Sequence, residues 1–335
     1  MEKYGPIMTD GMIDLDKCLL ENHPMPDIKA IGGERWFPLD SSIEDDMIPY
    51  WGGDWGCSSE FTKLRAVLLH RPGAEIDNFD YNEVRFRAPV DPEKFRAQHD
   101  SLADYYRSHG IKVVYTINGR VDRPNAVFCR DKLFMTPEGA IIARLSMPQR
   151  RGEERFVAEA CAIAGVPIIK AIGGEGIFEG ANALWVDRRT VILSVSVRAN
   201  RSGYDQMAAE LKRQGVEQII GMQVPYGHAH IDGLIGIASE DLVMIHACQV
   251  PYEVADSLKK KGFHILEAPS LTEAKYGYAT NFVAIDNGHV VSGNLAPKSC
   301  ELLEKHGVKV DVLDLSELNK GRGSVHCMTA FLKRD

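Results

Sequence analysis

The feature that most restricts this chain is a theme stated five times between residues 63 and 310: β-branched runs, an amphipathic helix, and a closing run that opens with glycine. The closing runs are Gly110-Ile111-Lys112-Val113-Val114, Gly165-Val166-Pro167-Ile168-Ile169, Gly215-Val216-Glu217-Gln218-Ile219-Ile220, Gly262-Phe263-His264-Ile265-Leu266 and Gly307-Val308-Lys309-Val310. Ahead of them, the periodicity predicts helices over 92–109, 153–164, 204–214, 252–261 and 299–306. Four of these helices follow paired runs, at 126–135 with 139–145, 183–186 with 190–197, 233–237 with 242–246, and 281–285 with 289–292; the first copy shows 63–69. Each copy therefore reads as one ββαβ unit, which cannot bury its own sheet face alone. Five such units are expected to close around a common axis, leaving a channel where the inner strand ends converge.

Composition narrows the class. With 335 residues, 44% apolar and 26% charged, the chain can build a large core. No run approaches roughly 18 uninterrupted apolar residues, and no apolar signal core follows the first six, so a cytoplasmic location without a membrane partner is expected. A net charge of −8 argues against a nucleic-acid partner, whose phosphates require a basic face. Seven cysteines without Cys-x-x-Cys spacing point to neither a disulfide framework nor structural zinc. Residues 1–58 show no period and carry Gly32-Gly33, Trp36 and the segment from Trp51 to Cys57. They are expected to form an N-terminal extension packing on or over a single catalytic domain of residues 59–335.

One thiol stands out, in Gly321-Arg322-Gly323-Ser324-Val325-His326-Cys327-Met328-Thr329. The two glycines admit dihedrals and close backbone contacts that a side chain would forbid, which makes Cys327 the candidate nucleophile. Asp131, Glu179, Asp232 and Cys327 all fall at or beside strand starts in the repeat and so should face the channel. Carboxylates match a planar guanidinium through paired, charge-assisted hydrogen bonds, so the three acids suggest a clamp for such a cation. His230 and Asp232 lie two apart and would share a face if the segment is a strand, as would His228. His230 is placed to protonate a departing amine and later to deprotonate water. His228 and His230 lack a third ligand at a recognisable zinc spacing, and neither a metal nor a cofactor is expected.

These residues resemble the guanidine-modifying superfamily of arginine deiminases, dimethylarginine hydrolases and amidinotransferases, from about residue 60 to 335. The segment Glu60 to Gly73 is similar to the first blade of arginine deiminases. The resemblance implies a five-bladed α/β propeller (pentein). Asn125-Ala126-Val127-Phe128-Cys129-Arg130-Asp131 is similar to the deiminase motif whose Asp holds the guanidinium and whose Asn reaches the substrate's α-carboxylate. Dimethylarginine hydrolases typically carry Asp at the place of Asn125. Arg150, Arg198 and Arg322 match family arginines aimed at that carboxylate, and Asn182 joins the candidate substrate-binding residues. The segment Phe178-Glu179-Gly180-Ala181-Asn182 is partly like the amidinotransferase version, since deiminases and dimethylarginine hydrolases usually read Glu-Gly-Gly-Asp there.

The implied activity is hydrolysis of the guanidino group of free L-arginine or a close guanidino amino acid through a thiouronium on Cys327, giving citrulline and ammonia. The alternatives are amidino transfer to an amine, a dihydrolase reaction yielding ornithine, and a non-catalytic pentein binding module. The expected partner is the small-molecule substrate, and the sequence leaves room for a homo-oligomer.

Overall fold

Five glycines explain the repeat. Gly110, Gly165, Gly215, Gly262 and Gly307 all adopt left-handed backbone, with φ of +72°, +79°, +89°, +96° and +84°. Each lies just past a helix, where a left-handed residue ends the helical turn and redirects the chain into a strand. Conformation rather than crowding requires glycine at four of them, because a Cβ added at Gly110, Gly215, Gly262 or Gly307 would meet nothing within 4 Å.

The computed structural model describes residues 41–117 and 119–335, and the backbone of 8–9 and 12–13. The remainder of the expected N-terminal extension lies outside the described residues. The chain divides into two units, Met1–Asp46 and Met47–Asp335. In the first, Met8–Thr9 pairs antiparallel with Met12–Ile13. Ser42 and Asp45 exchange hydrogen bonds, Asp45 N–H to Ser42 Oγ at 3.2 Å and Ser42 N–H to Asp45 Oδ2 at 3.0 Å, a reciprocal cap at a helix start.

The second unit holds five three-stranded sheets. In four of them two strands form an antiparallel hairpin, and the strand after the helix adds in parallel to the second. These are Leu133–Thr136, Gly139–Ile142 and Ile168–Ala171; Ala183–Asp187, Thr190–Val195 and Gln218–Gln223; Ile235–Ile237, Leu242–Ile245 and His264–Glu267; and Val283–Asp286, His289–Gly293 and Lys309–Leu313. The intervening helices are Glu154–Ala164, Arg201–Arg213, Tyr252–Lys260 and Pro297–Lys305, with Pro92–Ser108 in the first module. Two begin earlier than the periodicity predicts, because the Asn200 side chain caps the Gly203 N–H at 2.9 Å and Pro297 occupies a first-turn position.

The first module departs from the expected chain order. Its strands Leu64–Leu69 and Lys112–Tyr115 pair in parallel, but its leading strand is Ala330–Arg334, the last of the chain, which runs antiparallel to Leu64–Leu69. The run of four complete units and one truncated unit is thereby resolved, with the two ends of the repeat sharing one sheet. Burial is graded within each sheet. Leu133–Thr136, Gly139–Ile142 and Leu242–Ile245 are wholly buried, whereas the parallel third strands Gln218–Gln223 and Lys309–Leu313 alternate or lie partly exposed. Among the described residues no helix is long and apolar enough to cross a membrane.

The closing strand is the segment whose packing ties both ends together. Phe331 is 1% exposed and lies under the Arg130 and Arg334 guanidiniums, at 5.0 and 4.1 Å from its ring centre. Phe331→Ala should cost roughly 3–5 kcal/mol in denaturant unfolding. Val312→Ala, on an exposed outer strand, should cost under about 1 kcal/mol. Equal effects would show that the terminal strand does not secure the first sheet.

Candidate active site

Short turns precede the leading strands and deliver the polar side chains. Asp131 lies in the turn Cys129–Lys132, Glu179 precedes Gly180–Asn182, Asp232 lies in Ile231–Gly233, and Cys327 in Val325–Met328. The structure brings these four together with His230. The thiol of Cys327 donates to Asp232 Oδ2 at 3.4 Å, and His230 lies 2.7 Å from Glu179 Oε2 through Nε2 and 3.6 Å from Asp131 Oδ1 through Nδ1.

The segment carrying His230 is a turn and not the strand expected. His230 has extended backbone and caps Ile231–Gly233, so the shared-face argument for His230 and Asp232 does not apply. The two side chains diverge, His230 towards Asp131 and Glu179, and Asp232 towards Cys327 and His326. His228 instead meets the His246 ring at 5.5 Å. The glycine argument at the cysteine is also revised. The left-handed residue is Arg322, with φ +70°, while Gly323 is required by space, since a Cβ there would overlap the Phe128 ring.

Two residues bearing on the thiol were not singled out by sequence reasoning. Asn281 brackets it, its Nδ2 donating to Sγ at 3.2 Å and its Oδ1 accepting the Cys327 N–H at 3.2 Å. The repeat held the signal, because Asn281 occupies in the fifth module the strand-start position held by Asp131, Asp232 and Cys327 in others. His326 sits between Asp232 Oδ2 at 3.0 Å and Glu60 Oε2 at 3.1 Å. Carboxylates only accept, so both ring nitrogens donate and His326 is an imidazolium. Burial opposes that charge, but the two acids outweigh it and raise its pKa. Glu60 is further neutralised by Arg130 at 3.0 Å.

The substrate-binding candidates are placed unequally. Arg150 is buried and fully engaged, binding Asp131, Glu153, and the carbonyls of Asn125 and Phe128. It underpins an acid instead of presenting the open carboxylate clamp expected of it. Arg198 is half-buried, donating to Ser146 Oγ at 3.1 Å and lying 3.8 Å from Glu179. Asn125 is buried, with Nδ2 donating to the Val84 carbonyl at 3.2 Å. Asn182 Oδ1 accepts from the Ser194 and Ser196 hydroxyls at 2.7 and 3.0 Å. Only Arg322 among these arginines is exposed, with its charge acting on Tyr278 near the thiol.

Electrostatics divide the acids from the sulfur. Burial would raise the Glu179 carboxyl, but the hydrogen bond and charge of His230 with Arg150 and Arg198 bring it down to about 2. His230 is disfavoured as a cation by burial, yet Asp131 and Glu179 raise its pKa above the ordinary value. Burial first, then Asp232 and Asp131, push the Cys327 thiol well above its ordinary range, so it is protonated. Asp131 Oδ1 is a buried acceptor with no hydrogen-bond partner among the described residues. Asp131, Glu179 and His230 also lie close enough to share a metal ion. Their arrangement equally suits an organic cation.

A sequence model of the eukaryotic N,N dimethylarginine dimethylhydrolases matches residues 67–334. An arginine deiminase of Limosilactobacillus reuteri is 21% identical over 83% of this chain and 97% of its own length. The structure of a Pseudomonas aeruginosa DDAH mutant complexed with citrulline superposes with a TM-score of 0.67 at 20% identity, over 80% of this chain and 99% of that one. SxtG, an amidinotransferase from Microseira wollei, gives 0.65 at 16% identity, over 84% and 97%. The fold is shared with these structures, and with a family match over most of its length, the chain belongs to the N,N dimethylarginine dimethylhydrolase family of the guanidine-modifying pentein superfamily.

Proposed function

We propose that the chain is a hydrolase acting on the guanidino group of free L-arginine or a close guanidino amino acid, on a five-bladed propeller whose central channel holds the site. The observation that carries this reading is Asp131 Oδ1, buried and without a hydrogen-bond partner among the described residues, close to a thiol on which the charges of both Asp232 and Asp131 act. A guanidinium there supplies the donor that Asp131 Oδ1 lacks and a further charge-assisted hydrogen bond to Asp232. It also cancels the two negative charges that hold the thiol protonated, so the thiol proton passes to solvent as the substrate enters and a proton from the attacking water restores it when the C–S bond breaks.

The thiolate then attacks Cζ, forming a C–S bond and a tetrahedral adduct. His230, held through Nε2 by Glu179, donates its Nδ1 proton to the departing nitrogen as the C–N bond breaks. Neutral His230 next takes a proton from water, whose oxygen attacks the thiouronium carbon. Cleavage of the C–S bond releases citrulline and restores the sulfur. Asn281 fixes the sulfur from the neighbouring module. Arg322 is the arginine available to a substrate carboxylate. An amidinotransferase reading is favoured only by the Phe178–Asn182 segment, and differs in that an amine intercepts the thiouronium.

Cys327→Ala should abolish citrulline and ammonia release while arginine still binds, measured by product assay and calorimetry. Residual turnover within about tenfold of wild type would remove the covalent mechanism. Ornithine released only when an amine such as glycine is present would replace hydrolysis by transfer, and ornithine with ammonia and no acceptor would mean a dihydrolase.

Arg322→Ala should raise KM for arginine by tenfold or more, on the order of a lost charged hydrogen bond, and much less for agmatine, which lacks a carboxylate. Arg150→Ala should instead depress kcat/KM for both, because it releases Asp131. A carboxylate-selective effect of Arg150→Ala would restore it as a direct clamp.

Activity should fall as pH rises through the elevated His230 pKa. Glu179→Gln should move that alkaline limb to lower pH by about one unit or more, since it removes a charge favouring the imidazolium. The same pair contributes stability fully between the ordinary carboxyl and imidazole values of 4.5 and 6.5. That contribution is lost as pH falls towards about 2 or rises through the His230 pKa. An unmoved alkaline limb would detach Glu179 from the proton-transfer step.

A further inference from the structure

A second cluster of ligating groups lies outside the acid-lined site. His109, His289 and Asp311 each offer one atom, and these atoms lie within 4.8 Å of one another. His289 and Asp311 are on neighbouring parallel strands, where His289 pairs with Lys309, so the two side chains share a sheet face. His109 follows the helix Pro92–Ser108 of the first module. The cluster therefore joins the first and fifth modules, at the seam already closed by the terminal strand.

Tautomer and geometry both favour an ion. His109 Nδ1 lies 2.8 Å from the Tyr105 carbonyl, which only accepts, so Nδ1 carries the proton and the neutral ring keeps its Nε2 lone pair. That Nε2 is 3.8 Å from Asp311 Oδ2, and His289 Nε2 is 2.7 Å from the same oxygen. Metal–nitrogen and metal–oxygen bonds of about 2.0–2.1 Å place tetrahedral ligand atoms roughly 3.3 Å apart. Shifts of roughly half an ångström, one pair opening and the other closing, would bring both pairs that share Asp311 Oδ2 to that spacing. Tyr105 O–H donates to Asp311 Oδ2 at 2.7 Å, which orients the carboxylate. Burial alone would raise the Asp311 carboxyl, but Tyr105 and His289 outweigh it and keep it ionised. His109 is exposed, leaving a coordination position open to water.

We propose that His109, His289 and Asp311 form a binding site for a borderline divalent cation of the zinc class, joining the first module to the fifth. Two imidazoles and one carboxylate suit zinc, cobalt or nickel better than calcium or magnesium, which prefer all-oxygen sites. Binding requires the proton that His289 Nε2 shares with Asp311 to pass to Nδ1 of the same ring or to solvent, and the ion takes its place.

Isothermal titration of the untagged full chain with zinc chloride tests this. One ion should bind, its affinity falling at least tenfold in both His109→Gln and His289→Gln, and holding in His230→Gln, which disables the other ligating cluster. Zinc should also raise the thermal midpoint of the wild type and of neither seam variant, while His109→Gln without zinc retains its basal turnover. His109 is exposed at a helix end, so its variant keeps the test decisive if His289→Gln folds poorly. Absent zinc binding, or an affinity undiminished by His109→Gln, would overturn the site.

Discussion

Pairing of buried charge governs this molecule. Converging strand starts put Glu60, Asp131, Glu179 and Asp232 out of water, where an unpaired ion costs several kcal/mol. Each is met by a specific cation. Arg130 and His326 hold Glu60, Arg150 holds Asp131, His230 holds Glu179, and His326 also holds Asp232. Arg130 with Glu60, His230 with Glu179 and His326 with Asp232 join different modules, so satisfying those charges also specifies how the modules meet. The match is incomplete at Asp131 Oδ1, and that shortfall is what a cationic substrate would answer.

The repeat turns one structural position into several chemistries. At the turn before each leading strand the chain carries, in sequence order, Asp131, Glu179, Asp232, Asn281 and Cys327, the last of them leading into the first module. Backbone contacts link the series, since the Asp232 carbonyl accepts from Thr280 Oγ1 at 3.1 Å and Asn281 Nδ2 at 3.4 Å, and Asn281 in turn holds the sulfur. Gly180 permits a similar approach, as a Cβ there would run into the Arg130 and Leu133 carbonyls. Divergence of side chains over a common backbone frame thus accounts for a site built from distant parts of the sequence.

The parts legible in the sequence were those encoded locally. Helix ends were marked by left-handed glycines, and the inner strands by continuous apolar runs, as at Leu242–Ile245. The terminal strand Ala330–Arg334 was missed because pairing across the whole chain length leaves no local trace in a five-residue segment. Arg150 illustrates the other failure. Its segment resembles one that carries a carboxylate binder, but burial beside Glu153 and Asp131 is a property of three dimensions that a local resemblance does not encode. His326 adjoins the candidate nucleophile, yet only its two carboxylate partners disclose a charge.

Arg150 and His326 change what the charge arrangement means. Were Asp131 and Asp232 uncompensated, the free protein would carry two destabilising anions and would bind any cation that offsets them. Arg150 and His326 each bind the Oδ2 of one of those carboxylates, and Asp131 Oδ1 is left without a hydrogen-bond partner among the described residues. His326 outweighs burial at Asp232 and lowers its pKa. What still discriminates is shape, because a planar guanidinium can meet both acids and present its carbon to the sulfur at once. A point charge such as an ammonium would satisfy one acid and offer no electrophile. Under the proposed mechanism the thiol, held protonated by burial and these same acids, gains nucleophilicity when a cation of the right form lies between them.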